Sequence, residues 1–160
     1  MSTKLYRKTM PIPVIVLVGF FLVIQGCTTK WVADYDTVIA QEVVTASKQV
    51  DRFYGELIET EESERKYDAF KGKYVEIEVN LRALVMQNKA RPLNDESISI
   101  AETTLEKWVK YKEKHKAGDG YKTALAKNHR KRFTRLFTAM SVAEEAKKMK
   151  SDQPNQAGDE

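Results

Sequence analysis

The sequence predicts an all-α protein, an antiparallel up-down-up-down four-helix bundle, on three observations. Between Trp31 and Lys150 only five residues are glycine or proline (Gly55, Gly72, Pro92, Gly118 and Gly120), so the chain has few breaking points. Apolar residues across that stretch recur at threes and fours, the helical period, and no run alternates as a strand would. The periodic segments are similar in length and closely connected, which makes consecutive helices antiparallel neighbours. The same spacing also suits an elongated helical hairpin that completes its core by pairing with another copy or a partner.

The first segment presents Tyr35, Ile39, Val43, Ala46, Val50, Phe53 and Leu57 on one face, and the second Tyr67, Phe70, Tyr74, Ile77, Leu81 and Leu84. Between them, Glu59 to Glu64 holds no glycine or proline, but the phase of the apolar row slips from Leu57 to Tyr67. An interruption is expected there, with one bent helix from about 33 to 89 as the alternative. Pro92 discourages the second helix from running on. Asn94 is placed to cap the third, Asp95 and Glu96 suit its positive end, and Leu93 can staple against Ile98. That third segment carries Ile98, Ala101, Leu105 and Trp108, weakens through Lys112 towards His115, and stops at the turn Ala117 to Gly120. The fourth reads Tyr121, Leu125, His129, Phe133, Leu136, Met140 and Ala143. The aromatics at helical spacing, Trp108 with Tyr111 and Tyr67 with Phe70 and Tyr74, are expected in the core.

The ends of the chain are of another kind. Lys4, Arg7 and Lys8 precede an uncharged, apolar stretch from Met10 to Gln25, which ends at Gly26 and Cys27, the only cysteine. A positive start, an apolar run of about 15 residues and a small residue at the cut form a secretory signal, and the run is short of the roughly 20 a spanning helix needs. Ile24-Gln25-Gly26-Cys27 resembles the lipobox of bacterial lipoproteins. That resemblance implies cleavage between Gly26 and Cys27 and acylation of Cys27, so that residues 1–26 are a cleaved signal and 27–32 a lipidated tether. It further implies a location in the cell envelope, and Thr28 rather than an aspartate after the cysteine implies the outer membrane if the source is Gram-negative. Trp31 suits the headgroup level of such a membrane. Residues 33–150 form the helical domain, and 151–160 (SDQPNQAGDE), without apolar periodicity, read as a disordered tail.

Cleavage would change the charge. The whole chain is +4, but three of its 27 bases lie in the signal, which leaves 24 against 23 acids. The remaining charge is nearly balanced but segregated. Ala33 to Glu64 holds nine acids and two bases, whereas Lys107 to Arg135 holds eleven bases and two acids. The densest stretch gives the candidate binding residues Lys127, Arg130, Lys131, Arg132 and Arg135. Three readings stay open. The basic helix can pair with the acidic first helix, meet an anionic surface (lipid headgroups, lipopolysaccharide phosphate or cell-wall polymer), or bind an acidic protein. Nucleic acid would also suit such a cluster, but the exported location that the resemblance implies makes it a poor fourth, and none is expected as a partner.

Catalytic motifs are missing from the sequence. No phosphate loop, nucleophile elbow or zinc-protease motif occurs, and Glu76 and Glu78 fall on different helix faces. The Glu-x-x-His pattern of di-metal bundles is replaced by Lys112 and Ala126 three positions before His115 and His129. His129, on an apolar row, is expected to be a satisfied core histidine. The expectation is a non-catalytic envelope lipoprotein with no metal or cofactor. It would act as a scaffold or accessory subunit of a secretion, transport or exclusion assembly, or else as an inhibitor that captures one effector or anionic ligand.

Overall fold

The computed structural model describes residues 32–152, and four helices occupy most of them: α1 (Thr37–Glu59), α2 (Tyr67–Lys89), α3 (Asp95–Gly118) and α4 (Thr123–Ser151). A single 3-10 turn, Glu62–Glu64, separates α1 from α2, so the interruption signalled by the phase slip is real and the single bent helix is not formed. Each helix packs against two others, α1 on α2 and α4, and α3 on α2 and α4. Side-chain pairs across these seams run in opposite chain order. Glu56 meets Lys73, Gln49 meets Asn80 and Glu42 meets Gln87 between α1 and α2, while Glu102 meets Lys89 and Lys112 meets Glu78 between α3 and α2. The architecture is an antiparallel up-down-up-down four-helix bundle.

An aromatic cluster forms the core. Phe53, Tyr54, Phe70, Tyr74, Trp108 and Phe133 are buried and meet mostly edge to face, with Phe53 and Trp108 centroids 5.0 Å apart. The Trp108 indole donates to the Tyr74 carbonyl at 3.1 Å, which satisfies its only polar atom. The apolar rows of the first two segments supply most of the rest. In α3 and α4 the rows are displaced. Ser97, Ala101, Thr104, Trp108, Tyr111 and His115 face inward on α3, so that helix keeps its buried face to its last turn. On α4 the buried position is Ala126, while Leu125 is exposed.

Both ends of the bundle are closed by side chains from other elements. At the distal end lie the α1–α2 and α3–α4 connections. The residues preceding α2 and α4, Lys66 and Lys122, offer no capping side chain. The Asp119 carboxylate accepts from the Tyr67 N–H at 3.1 Å, and Glu62 accepts from the Thr123 N–H and hydroxyl, both at 2.8 Å. Each loop therefore caps the helix that the other loop begins, satisfying amides a helix start leaves free. Asp119 takes φ 42°, a left-handed conformation between Gly118 and Gly120 that aspartate tolerates better than most residues. Arg65 is buried between the loops and donates to the carbonyls of Thr60 (2.7 Å), Tyr121 (3.0 Å) and Ile58 (3.0 Å).

At the proximal end, where the chain enters α1 through an Asp36 cap, the α2–α3 loop meets the end of α4. Glu144 and Lys147 are buried one turn apart with Nζ 2.5 Å from Oε1, and Arg91 reaches Glu144 at 3.3 Å. Asn94 precedes α3 as expected but does not cap it with its side chain. Its amide donates to the Asn88 carbonyl and side chain, and its oxygen accepts from Lys147 at 2.6 Å, because the buried ammonium offers the stronger bond. Leu93 takes φ 58° and is half-exposed. Its carbonyl accepts from the Ala33 N–H at 3.0 Å, and Arg91 donates to the Asp34 carbonyl. α4 includes Ser151, one residue into the stretch expected to be disordered; residues 153–160 lie outside those described.

Candidate functional site

Gly26, Cys27 and Trp31, which carry the lipidation and headgroup readings, lie outside the described residues. The basic candidates all lie on α4, but they do not share a face. At 3.6 residues per turn, Arg130 and Arg132 point about 160° apart. Arg130 turns to α1 and holds Asp51 with two bonds of 2.6 Å, a bidentate pair that keeps the aspartate below its usual carboxylate range. This is the pairing of acidic first helix with basic last helix, and among the described residues it is confined to that one ion pair. Lys127 and Lys131 are exposed and make no ion pair among the described residues.

Arg132 and Arg135 turn instead to the seam with α3. There Lys107, Lys110 and Lys114, spaced by three and four, form one stripe of α3. With Arg132 and Asn128 they surround a hollow of about 280 Å³ floored by Tyr111 and His129. A second hollow, of about 290 Å³, shares Lys107 and Arg132 and continues past Arg135 to Thr103 and Leu136. No acid lines either hollow. The Arg132 guanidinium is steadied by the Tyr111 hydroxyl at 3.0 Å rather than by a carboxylate. Among the described residues Lys107 is the one of these cations that touches an acid, the adjacent exposed Glu106 at 3.0 Å.

The floor is rigid. The Tyr111 and His129 rings stack with centroids 3.5 Å apart and planes within 3°, and His129 Nδ1 bonds the Tyr121 hydroxyl. Burial pushes the His129 pKa down to about 4, and Arg132 and Lys114 add to the shift, so the ring is neutral at ordinary pH. His115 is equally committed. Its Nε2 donates to the Arg65 carbonyl at 2.8 Å, which fixes the tautomer and leaves Nδ1 to accept from the Tyr74 hydroxyl at 3.1 Å. Burial lowers its pKa and raises that of Tyr74. Both histidines are thus core hydrogen-bonding groups. Among the described residues no group of three or more His, Cys, Asp or Glu side chains is placed to hold a metal ion.

Lys107, Lys110 and Lys114 were legible in the sequence as three bases at helical spacing. Their convergence with Arg132 and Arg135 was not, because it depends on which α4 face meets α3. A second surface feature, invisible in the periodicity, is an open groove of about 960 Å³ between α2 and α3, with Val85, Met86, Leu105 and Val109 among its lining residues. The fold defines the class, an antiparallel four-helix bundle with a cationic seam. No family model matches the chain, and no curated protein or solved structure is significantly similar to it.

Proposed function

We propose that the protein is a lipid-anchored lipoprotein of the bacterial cell envelope, whose bundle works as a non-catalytic scaffold or accessory subunit of an envelope assembly. The observation that carries this reading is Ile24-Gln25-Gly26-Cys27, directly after an uncharged run that begins with basic residues. Two acyl chains at Cys27 would anchor the protein stably, at about 0.8 kcal/mol per buried CH₂. The surface of the bundle supports contact work. The α2–α3 groove exposes apolar side chains, Met86 among them, beside Arg82, Lys89 and Glu102, the mixture that suits a partner helix. A second reading, an inhibitor-type lipoprotein that captures one effector or anionic ligand, is favoured by the acid-free α3–α4 seam.

The anchor is tested by palmitate labelling of the wild type and Cys27→Ser. Labelling is expected only in the wild type, and globomycin is expected to make a longer precursor accumulate. Cleavage and labelling of the serine variant would overturn the reading. Crosslinking in intact envelopes then separates the two roles. Recovery with several membrane subunits supports the scaffold, and recovery with a single soluble protein supports the inhibitor.

A further inference from the structure

The α3–α4 seam gathers cations around two adjoining hollows that no acid lines. Several other helical cations meet acids, Lys73 with Glu56, Arg82 and Lys112 with Glu78, Lys89 with Glu102, Arg130 with Asp51 and Lys147 with Glu144, whereas Lys48, Lys127 and Lys131 are exposed and line neither hollow. Along the seam Lys110, Lys114, Arg132 and Arg135 have no carboxylate partner among the described residues, although they lie side by side around adjoining hollows. Like charges held together repel one another, and an anion bound between them removes that repulsion.

We propose that this seam is a binding site for a multivalent phosphate group, held by Lys107, Lys110, Lys114, Arg132 and Arg135. Charge sets the valency, since one carboxylate cannot balance the four cations of the seam that lack an acid partner, with Lys107 already beside Glu106. Length agrees with it. The hollows extend from Lys114 to Thr103 along α3, and eleven residues at 1.5 Å each give about 16 Å, room for two or more phosphates in a row. Side-chain chemistry selects phosphate. Arg132 spends one N–H on Tyr111, which steadies its planar fork and leaves other donors for a bidentate grip, and the lysines add mobile point charges around it. Asn128 supplies a neutral donor at one rim, and the stacked Tyr111–His129 pair gives a floor that does not have to rearrange. The phosphates can belong to a soluble ester or to a lipid headgroup. The site does not depend on Cys27, so it stands or falls separately from the anchor.

Calorimetric titration of the full-length chain with inorganic pyrophosphate, at about 50 mM salt to limit screening, tests the proposal. One-to-one binding is expected, weakened about tenfold or more in Lys110→Ala/Lys114→Ala. Lys48→Ala/Lys150→Ala, which removes the same charge from exposed positions outside the seam, is expected to change affinity less than about twofold. Arg132→Lys keeps the charge and is expected to lose several-fold through loss of the fork. Circular dichroism of each variant checks that the exposed substitutions leave the helices intact. Absence of pyrophosphate binding, or equal losses in the two double variants, overturns the proposal. Vesicles containing phosphatidic acid identify the source. If they compete with pyrophosphate the site takes a headgroup; if pyrophosphate binds and vesicles do not compete, it takes a soluble phosphate ester.

Discussion

The two ends of the bundle solve one problem in two ways. Each buries a cation where loops meet helix termini, Arg65 at the distal end and Lys147 at the proximal end. Arg65 is satisfied by backbone carbonyls and the Thr123 hydroxyl at 2.8 Å, and the acid beside it is the exposed Glu62 at 3.6 Å. Lys147 is held by the buried carboxylate of Glu144, with Arg91 on the other side. Carbonyls hold a guanidinium wherever the loops already go, whereas the charge of Lys147 is balanced by one carboxylate, its other acceptors, Asn94 and Ser97, being neutral. The distal end should therefore tolerate the loss of any one contact, and the proximal end should not.

The sharpest way to break that contrast is Glu144→Leu, which leaves Lys147 and Arg91 without their carboxylate. It is expected to cost about 3–5 kcal/mol in urea unfolding, and Glu144→Leu/Lys147→Met is expected to recover a large part, since apolar residues of similar size replace buried pairs well. Failure of the double variant to recover would show that Asn94 and Ser97, the other acceptors of Lys147, matter as much as Glu144. Arg65→Met comes next, at about 2–4 kcal/mol, because several loop carbonyls lose a charged donor at once. Removing Glu62 alone, as Glu62→Gln, should cost far less than either and is measured the same way.

Acid response gives a smaller effect, and it belongs to the distal half. His129 has its pKa depressed to about 4 against roughly 6.5 in an unfolded chain, so the unfolded state takes up its proton first. Its contribution is fully present above pH 6.5 and is lost as pH falls towards 4, by about 2.5 kcal/mol at pH 4.5. His115, lowered in the same direction by burial, adds to the loss. Thermal unfolding across pH 7 to 4.5 should therefore show a falling midpoint, and His129→Gln should flatten it. Least of all should be Asp51→Asn. The Arg130 pair is about half-exposed on both sides, and its loss is expected to change stability by less than about 1 kcal/mol.

The helices were legible because their apolar residues keep the 3.6 period, and Val43, Phe53, Tyr74, Leu81, Trp108 and Phe133 are buried as that period requires. The interruption before Tyr67 was legible as a phase slip, even without a glycine. What escaped was polar. Glu144 and Lys147 look like any exposed i, i+3 pair, and nothing local says that the α2–α3 loop and the first turn of α3 close over them. Arg65, at the end of an acidic run, reads as a solvated charge until the two distal loops are seen to meet at it. The basic stretch of α4 reads as one patch in a linear sequence, yet the helix divides it between two seams. Pairing partners across 50 residues or more are a property of packing, and single residues do not announce them.

The Ala33–Leu93 hydrogen bond and the grip of Arg91 on the Asp34 carbonyl have a mechanical consequence. Tension that reaches Val32 does not arrive first at the end of α1. It meets a backbone bond to the α2–α3 loop and an arginine whose other hold is Glu144 on α4. A pull along the chain is thus shared among three strands of the load path before α1 begins to unwind, so the bundle resists being drawn out from its first residue.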